Sequence, residues 1–312
     1  MNKPVLVKGS SWWHKHSQLP LVIGKVYAES DDREAESDDF TAICHIHDHP
    51  ELVIVHGGTA MHSFKGKDYP ISAGDVFCIL GEQEHYFHEM HQLQLLNVMY
   101  DPVGLNLPIG FFGKIPGYNA MFRLEPNHRE KHEFSSRLTL HQSKLAHSVN
   151  LVESMYTELL EQPPGFEVSI LGGLIRLITF LSRHYGEHSG KKGSALLRIG
   201  EVLILMENDP EKPWSLEELA ECTHLSPTNF IHTFKQATGV PPLKYLIQLR
   251  IRQSMELLAG TDMTVTEIAF ECGFNDSNYF ARQFKSINGI NATEFRARCE
   301  MGGVFDKSSF KS

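Results

Sequence analysis

Apolar positions recur with a helical period through the last third of the chain, and the same pattern is written twice. The first copy is SLEELAECTHLSPTNFIHTFKQATG, residues 215–239, and the second is TVTEIAFECGFNDSNYFARQFKSING, residues 264–289. Leu216, Leu219 and Ala220 return as Val265, Ile268 and Ala269 at a spacing of 49, whereas Phe230, Phe234, Lys235 and Gly239 return as Phe280, Phe284, Lys285 and Gly289 at a spacing of 50. One extra residue in the second turn, near Asn275, accounts for the change. Ser215 with Glu218, and Thr264 with Glu267, have the spacing of a capping box at a helix start. Ser226 followed by Pro227 predicts the cap and first residue of a second helix, with Phe230 and Phe234 one turn apart on its buried face. In the second copy Gly273 supplies the turn and Asp276 or Ser277 the cap. Each copy is therefore predicted as helix, tight turn, helix, with a helical connection over Leu243–Leu258 between them. Sixteen residues of helix are about 24 Å long, the order needed to link readers of consecutive major grooves, which lie roughly 34 Å apart.

Upstream the period changes. From Phe40 to Tyr100, ELVIVHGG, TAMHSF, YPISAGDVFCIL and LQLLNVMY are short β-branched and aromatic segments separated by Gly, Asp and Pro, the pattern of a small barrel or jelly roll. Residues 101–126 are rich in Pro and Gly and show no clear period. Two amphipathic helices follow. Lys144–Leu160 aligns Leu145, Val149, Val152, Tyr156 and Leu159; Glu167–His184 aligns Ile170, Leu171, Leu174, Ile175, Ile178 and Leu181. Residues 1–39 read as a polar arm containing Trp12-Trp13 and an acidic run over 31–36, packing on the barrel or closing over a pocket. GEHSGKKGSA (186–195) lacks an apolar period and reads as a flexible linker; a helix over Leu196–Glu207 begins the next domain, and 302–312 reads as a loose tail.

Composition narrows the class. The chain has 312 residues, 41% of them hydrophobic, enough for two soluble domains. No run of about 18 apolar residues predicts a membrane span, and the N-terminus lacks the apolar stretch of a signal peptide. Cys44, Cys78, Cys222, Cys272 and Cys299 are scattered, as expected of reduced cytoplasmic thiols. Net charge is −9, and residues 195–300 hold 10 Lys plus Arg against 14 Asp plus Glu, a net of −4. A nucleic-acid binder usually has a basic footprint. Lys235, Lys244, Arg250, Arg252, Arg282 and Lys285 follow the predicted recognition and connecting helices, so a small basic face on an acidic body is expected, with affinity leaning on base contacts and dimerisation.

The set Ala269, Gly273, Phe274, Asp276, Phe280, Phe284, Lys285, Gly289 and Arg296 resembles the signature of the arabinose-regulator (AraC) family of bacterial transcription factors. The resemblance implies double-stranded operator DNA as partner, read through Thr228, Ile231, His232 and Lys235 of the first recognition helix and Asp276, Ser277, Asn278, Arg282 and Lys285 of the second. Arg282 suits guanine, Asn278 adenine and Asp276 a cytosine amino group, while Ile231 offers only apolar contact, for example to a thymine methyl. The second helix is thus expected to read more of the sequence than the first. HDHPELVIVHGG, HQLQLLNVMYDPVGLNL and IPGYNAMFRLEP are similar to the effector domains of the rhamnose-operon regulators within that family. This implies a small sugar effector such as L-rhamnose, a homodimer paired through the amphipathic helices, contact with RNA polymerase, and activation of a sugar-catabolic operon.

His45, His47 and Glu51, followed at fixed distances by Gly58, Gly74 and His85, are similar to the cupin pattern. Asp39 replaces the leading Gly of its first motif; Leu80, Glu82 and Glu89 replace the Pro, Gly and final Asn of its second. Imidazoles and a carboxylate can hydrogen-bond sugar hydroxyls, so His45, His47, Glu51 and His85 are the expected effector contacts. Two alternatives stay open: structural histidines, with His45 and His49 on the surface, and a metal ion at the same four residues. The fold class is α+β and multidomain: arm 1–39, cupin-like effector and dimerisation domain 40–186, linker 187–195, all-α DNA-binding domain 196–300 with two helix-turn-helix motifs, tail 301–312. Neither a catalytic residue nor a cofactor is expected. The competing functions are a metal-dependent cupin enzyme fused to a DNA-binding module and a ligand-independent DNA-binding protein.

Overall fold

The computed structural model describes residues 5–7, 19–29, 42–129, 134, 136–188 and 190–300. Trp12-Trp13, the acidic run and the tail lie outside them. Two compact units divide the chain, Met1–Glu201 and Val202–Ser312.

The first unit is built on an eight-stranded sheet of β1 (Val5–Val7), β2 (Leu21–Ala28), β3 (His45–His47), β4 (Glu51–Phe64), β5 (Lys67–Ser72), β6 (Asp75–Ile79), β7 (His85–Tyr100) and β8 (Leu138–Thr139). The long strands β4 and β7 pair antiparallel from Glu51↔Met99 to Phe64↔His85 and carry β2, β3, β5 and β6, with β1 added to β3 and β8 to β6. Register shifts between Val55 and Met61 bend this pair. The glycines read above as a strand break sit inside that irregularity: Gly58 has φ +69°, and a Cβ there would lie 2.1 Å from the Gln92 carbonyl oxygen. ELVIVHGG and TAMHSF are therefore one bulged strand, the device by which a sheet curls. The inward face is a core of Val53, Val55, Phe64, Phe77, Phe87, Leu93 and Phe134.

Three sequence expectations change here. The stretch 1–39 contains β1 and β2, so it is no mere polar arm; β2 alternates buried and exposed residues and pairs with Leu93–Tyr100. Residues 101–128 fold into short helical turns at Ile109–Phe112, Pro116–Tyr118, Asn119–Leu124 and Glu125–His128. Tyr118, Ala120, Met121, Phe122 and Leu124 are buried there, stabilised by packing that no helical period announces. The predicted flexible linker 187–195 is helical wherever it is described: α2 runs Phe166–His188 and α3 Gly190–Asn208. Leu196 and Ile199 of α3 are fully buried, and the boundary between the units falls inside this helix. Helix α1, Gln142–Glu161, ends at Gln162 in a left-handed conformation. Its most buried apolar side chains are Val152, Met155 and Leu159, while Leu145, Val149 and Tyr156 are half-buried.

The second unit contains α4 (Leu216–Cys222), α5 (Pro227–Thr238), α6 (Pro242–Gly260), α7 (Val265–Glu271), α8 (Ser277–Asn288) and α9 (Ala292–Glu300). Both capping boxes are present, with Glu218 and Glu267 backbone N–H groups donating to Ser215 and Thr264 side chains and the carboxylates accepting in return. The turn residues His224 (φ 53°) and Gly273 (φ 80°) are 49 apart, and the caps Ser226 and Asp276 are 50 apart. The extra residue is Asn275, as the spacing required. Phe280, Phe284 and Phe295 pack with Ile251, Met255 and Leu258 of α6. At 19 residues α6 is about 28 Å long, slightly longer than expected.

Candidate functional site

The recognition helices are held by their phenylalanines. Phe230 and Phe234 on α5, and Phe280 and Phe284 on α8, are all fully buried. Burying each contributes about 1.5–3 kcal/mol and fixes which face of its helix looks outward. On α5 that face carries exposed Thr228, His232 and Lys235, with Ile231 half-buried. On α8 it carries exposed Asp276, Asn278, Arg282 and Lys285, with Ser277 partly covered. Of the two predicted reading sets, all but Ile231 and Ser277 are exposed.

Local contacts refine what each can offer. Asp276 caps α8 by accepting a hydrogen bond from the Asn278 backbone N–H at 2.8 Å, which commits one carboxylate oxygen. Arg282 lies over the Tyr279 ring at 5.8 Å, a side chain absent from the predicted set although it is exposed beside the arginine. A guanidinium resting on an aromatic face is partly preorganised for a flat, bidentate contact. His232 meets Gln236 at 3.3 Å. One of the residues expected on the basic face, Arg250, is engaged elsewhere, and Arg296 of the signature set is held in the same way. Arg250 donates to the carbonyl oxygens of Pro210 and Lys212 at 2.7 and 2.8 Å, and Arg296 to that of Met263 at 2.6 Å. Both tie loops to helices, so Arg250 leaves the expected basic face.

In the first unit, the alternation of β3 turns His45 and His47 to one side of the sheet. His85, the first residue of β7, is paired directly with His45, and Glu51 heads β4. The four converge. One ring nitrogen from each histidine lies within 4.8 Å of the others. Glu51 Oε2 is 3.1 Å from His47 Nε2 and 3.3 Å from His85 Nε2. All four are at least 96% buried, so the alternative that leaves His45 on the surface fails. Burial alone would raise the Glu51 carboxyl, but the charge and hydrogen bonding of His47 and His85 outweigh it and hold the group well below the usual carboxylate range. Burial, reinforced by His85, pushes His45 down to about 3.

Deeper in the barrel lie two groups that the sequence reading passed over. His62 is stacked between Phe77 and Phe87, at 5.0 and 4.9 Å, with neither ring nitrogen hydrogen-bonded. Arg129 is fully buried, paired with Glu125 at 2.7 Å, bonded to the Cys78 carbonyl and packed on Phe134 at 4.6 Å. Only a His within a strand and an Arg outside any period marked them, and neither is a signal. A cavity of about 330 Å³ lies elsewhere on the unit, lined among others by Met61, Ile71, Glu89, His91 and Arg137.

Residues 219–298 match a family described as a helix-turn-helix domain, and residues 32–102 match the family of AraC-like ligand binding domains. Over 285 residues the chain is 27% identical to the HTH-type transcriptional activator RhaR of Escherichia coli (strain K12), spanning 89% of this chain and 96% of that protein. Among solved structures, a transcriptional regulator with an AraC-type DNA-binding domain from Chromobacterium violaceum is 29% identical, covering 33% of this chain and 91% of that one, with a TM-score of 0.32. The DNA-binding domain of AdpA, solved in complex with a target DNA, is 28% identical over 34% of this chain and 96% of that one, with a TM-score of 0.32.

Proposed function

The chain is a DNA-binding transcriptional regulator of the AraC family, and from that premise we propose that it activates a sugar-catabolic operon in response to a small sugar such as L-rhamnose. The observation that carries the DNA-reading part is the outer face of α8. There Asn278 and Arg282 stand exposed on a helix fixed by two buried phenylalanines, with Asp276 at its start. Together they offer an adenine partner, a guanine partner and a second carboxylate oxygen for a cytosine amino group. Helix α5 offers Thr228, Ile231 and His232, so the two readers contribute unequally. The relative RhaR, named an activator, supports the sign of regulation, and the resemblance of the first unit's segments to the rhamnose-operon regulators makes rhamnose the first sugar to try.

The effector acts through the first unit, with His45, His47, Glu51 and His85 as its proposed contacts and RNA polymerase as a further partner. Two copies of the chain pair through α1 and α2, a reading supported by exposed Leu160 and Val168 and by the half-buried outer apolar positions of both helices. A sugar can favour operator binding only by its differential affinity for the two states of the protein.

The test is operator binding by the full chain with and without rhamnose, other deoxysugars, hexoses and uronates, repeated for His47→Ala, Glu51→Ala and His85→Ala. One sugar class should tighten binding, and the three variants should lose that response. A response unchanged in all three sinks the contact assignment; its loss in Arg137→Ala alone moves the effector to the 330 Å³ cavity. Light scattering that shows a monomer with and without sugar and DNA contradicts the pairing.

A further inference from the structure

Arg282 and its aromatic neighbour stand at the end of a longer series of contacts that runs from the core of the second unit to its reading face. Arg250 of α6 is clamped by the carbonyl oxygens of Pro210 and Lys212, at 2.7 and 2.8 Å, and its guanidinium lies 5.9 Å from the centre of the Phe274 ring. Phe274, in the turn before α8, is buried and meets the fully buried Phe280 edge-on at 5.2 Å. Its ring is 6.1 Å from that of Tyr279, and Arg282 lies 5.8 Å over Tyr279 in turn. Each step is a ring against a ring or a guanidinium against a ring, within the reach of those attractions. The series begins on a clamped arginine and ends on an exposed one.

Tyr279 and Arg282 are three residues apart on α8, which makes their side chains neighbours on the helix surface. An exposed arginine samples many rotamers, and most of that freedom is given up when its planar fork meets a flat, bidentate partner. A ring that already carries the guanidinium reduces the loss and restricts the plane in which the fork is presented. Tyr279 can do this because Phe274 holds its ring from behind.

The first copy has no such arrangement. Leu225 occupies the place of Phe274: its backbone N–H donates to the Ala220 carbonyl at 3.3 Å, as that of Phe274 donates to Ala269 at 3.0 Å. Counting back from Phe230 and Phe280, Asn229 stands where the second copy has Tyr279, and His232 where it has Arg282. His232 meets Gln236 at 3.3 Å instead. We infer that Tyr279 is the positioning residue for Arg282: seated on Phe274, it presents the guanidinium to one base pair, and the lack of a counterpart at Asn229 leaves α5 the weaker reader. This rests on the reading that Arg282 contacts a base.

The experiment measures binding of the full chain to a selected operator and to its single-base-pair variants, for the wild type, Tyr279→Phe, Tyr279→Leu, Arg282→Ala and the double variant Tyr279→Leu, Arg282→Ala. Arg282→Ala identifies the base pair at which discrimination falls. At that pair Tyr279→Leu should lower discrimination about two- to fivefold, the worth of an exposed cation–ring contact, and Tyr279→Phe, which keeps the ring face, should retain it. Discrimination at the other base pairs should stay as in the wild type, and in the Arg282→Ala background Tyr279→Leu should change nothing further. Thermal unfolding verifies each variant, and Tyr279→Met replaces the leucine variant if that one is not folded. Discrimination that Tyr279→Leu leaves intact where Arg282→Ala lowers it overturns this inference alone. So does a loss that is spread over all base pairs, that persists without Arg282, or that Tyr279→Phe reproduces, since the hydroxyl would then be contacting DNA itself. Arg282→Ala without effect at any single base pair defeats the base-reading assignment and this inference with it.

Discussion

Gly273→Ala should destabilise the DNA-binding unit far more than Gly289→Ala, although the two glycines have nearly the same backbone. Gly273 has φ +80° and Gly289 φ +76°, so either alanine incurs the left-handed strain of about 1–2 kcal/mol. At Gly289 nothing lies within 4 Å of the added Cβ, and that strain is the whole cost. At Gly273 the Cβ would lie 2.3 Å from the Glu211 carbonyl oxygen and 2.7 Å from Glu211 Cα. These are backbone atoms of a segment that Arg250 clamps at Pro210 and Lys212, so it yields poorly. Overpacking adds about 1–3 kcal/mol, for a total of about 2–5 kcal/mol. Urea unfolding followed through Trp214 in a chain with Trp12 and Trp13 replaced by Phe reads the difference. Losses within about 0.5 kcal/mol of each other, the scatter of ordinary surface changes, would refute the reasoning that the second turn is seated against the 210–212 segment.

Three further outcomes follow from the same geometry. Arg282→Ala or Asn278→Ala should relax discrimination by roughly 1–3 kcal/mol at single base pairs in a binding-selection assay, with Thr228→Ala costing less; equal losses from α5 and α8 would show the asymmetry to be wrong. Glu125→Ala leaves the Arg129 charge buried and unpaired, and should cost about 3–5 kcal/mol in thermal unfolding of the first unit, whereas a loss under about 1 kcal/mol would mean that its carbonyl and aromatic contacts suffice. The Glu218 and Glu267 carboxyls are held below the ordinary 4.5, first by the Ser215 and Thr264 backbone N–H groups. Their stabilisation is complete above pH 4.5 and is lost as pH falls through the lower folded values, so the Glu218→Gln, Glu267→Gln double variant should show a flatter acid dependence of its urea midpoint.

The local grammar of the second unit was legible residue by residue. Ser215 with Glu218, Thr264 with Glu267, Ser226 before Pro227 and the 49-to-50 change in spacing all act within a few positions of themselves, and the structure has them as read. The convergence of His45, His47, Glu51 and His85 was legible as a pattern, because two of them alternate on one strand, His85 heads the strand that pairs with it and Glu51 heads the strand that follows in the chain. What sequence concealed depends on distant partners. Helicity over 101–128 accompanies burial of Met121, Leu124 and their neighbours rather than any period, and the helix over Gly190–Asn208 runs on into the buried Leu196 and Ile199. Arg250 reads as a basic residue on a helix surface, and only the fold reveals the carbonyls that occupy it. His62 and Arg129 are polar residues inside a barrel, where aromatic walls and one carboxylate decide their placement.

The proposed regulator joins a sugar-responsive first unit to an unequal pair of base readers in one chain. Its most direct test is fluorescence anisotropy of the full chain on a selected operator and on a scrambled duplex, at one salt concentration, with and without the candidate sugar. The account predicts a strong preference for the operator, by a factor of about 10³ or more, tightened further by one sugar class and diminished by Arg282→Ala. Equal affinity for both duplexes, or operator binding that no sugar alters and Arg282→Ala leaves intact, would contradict it.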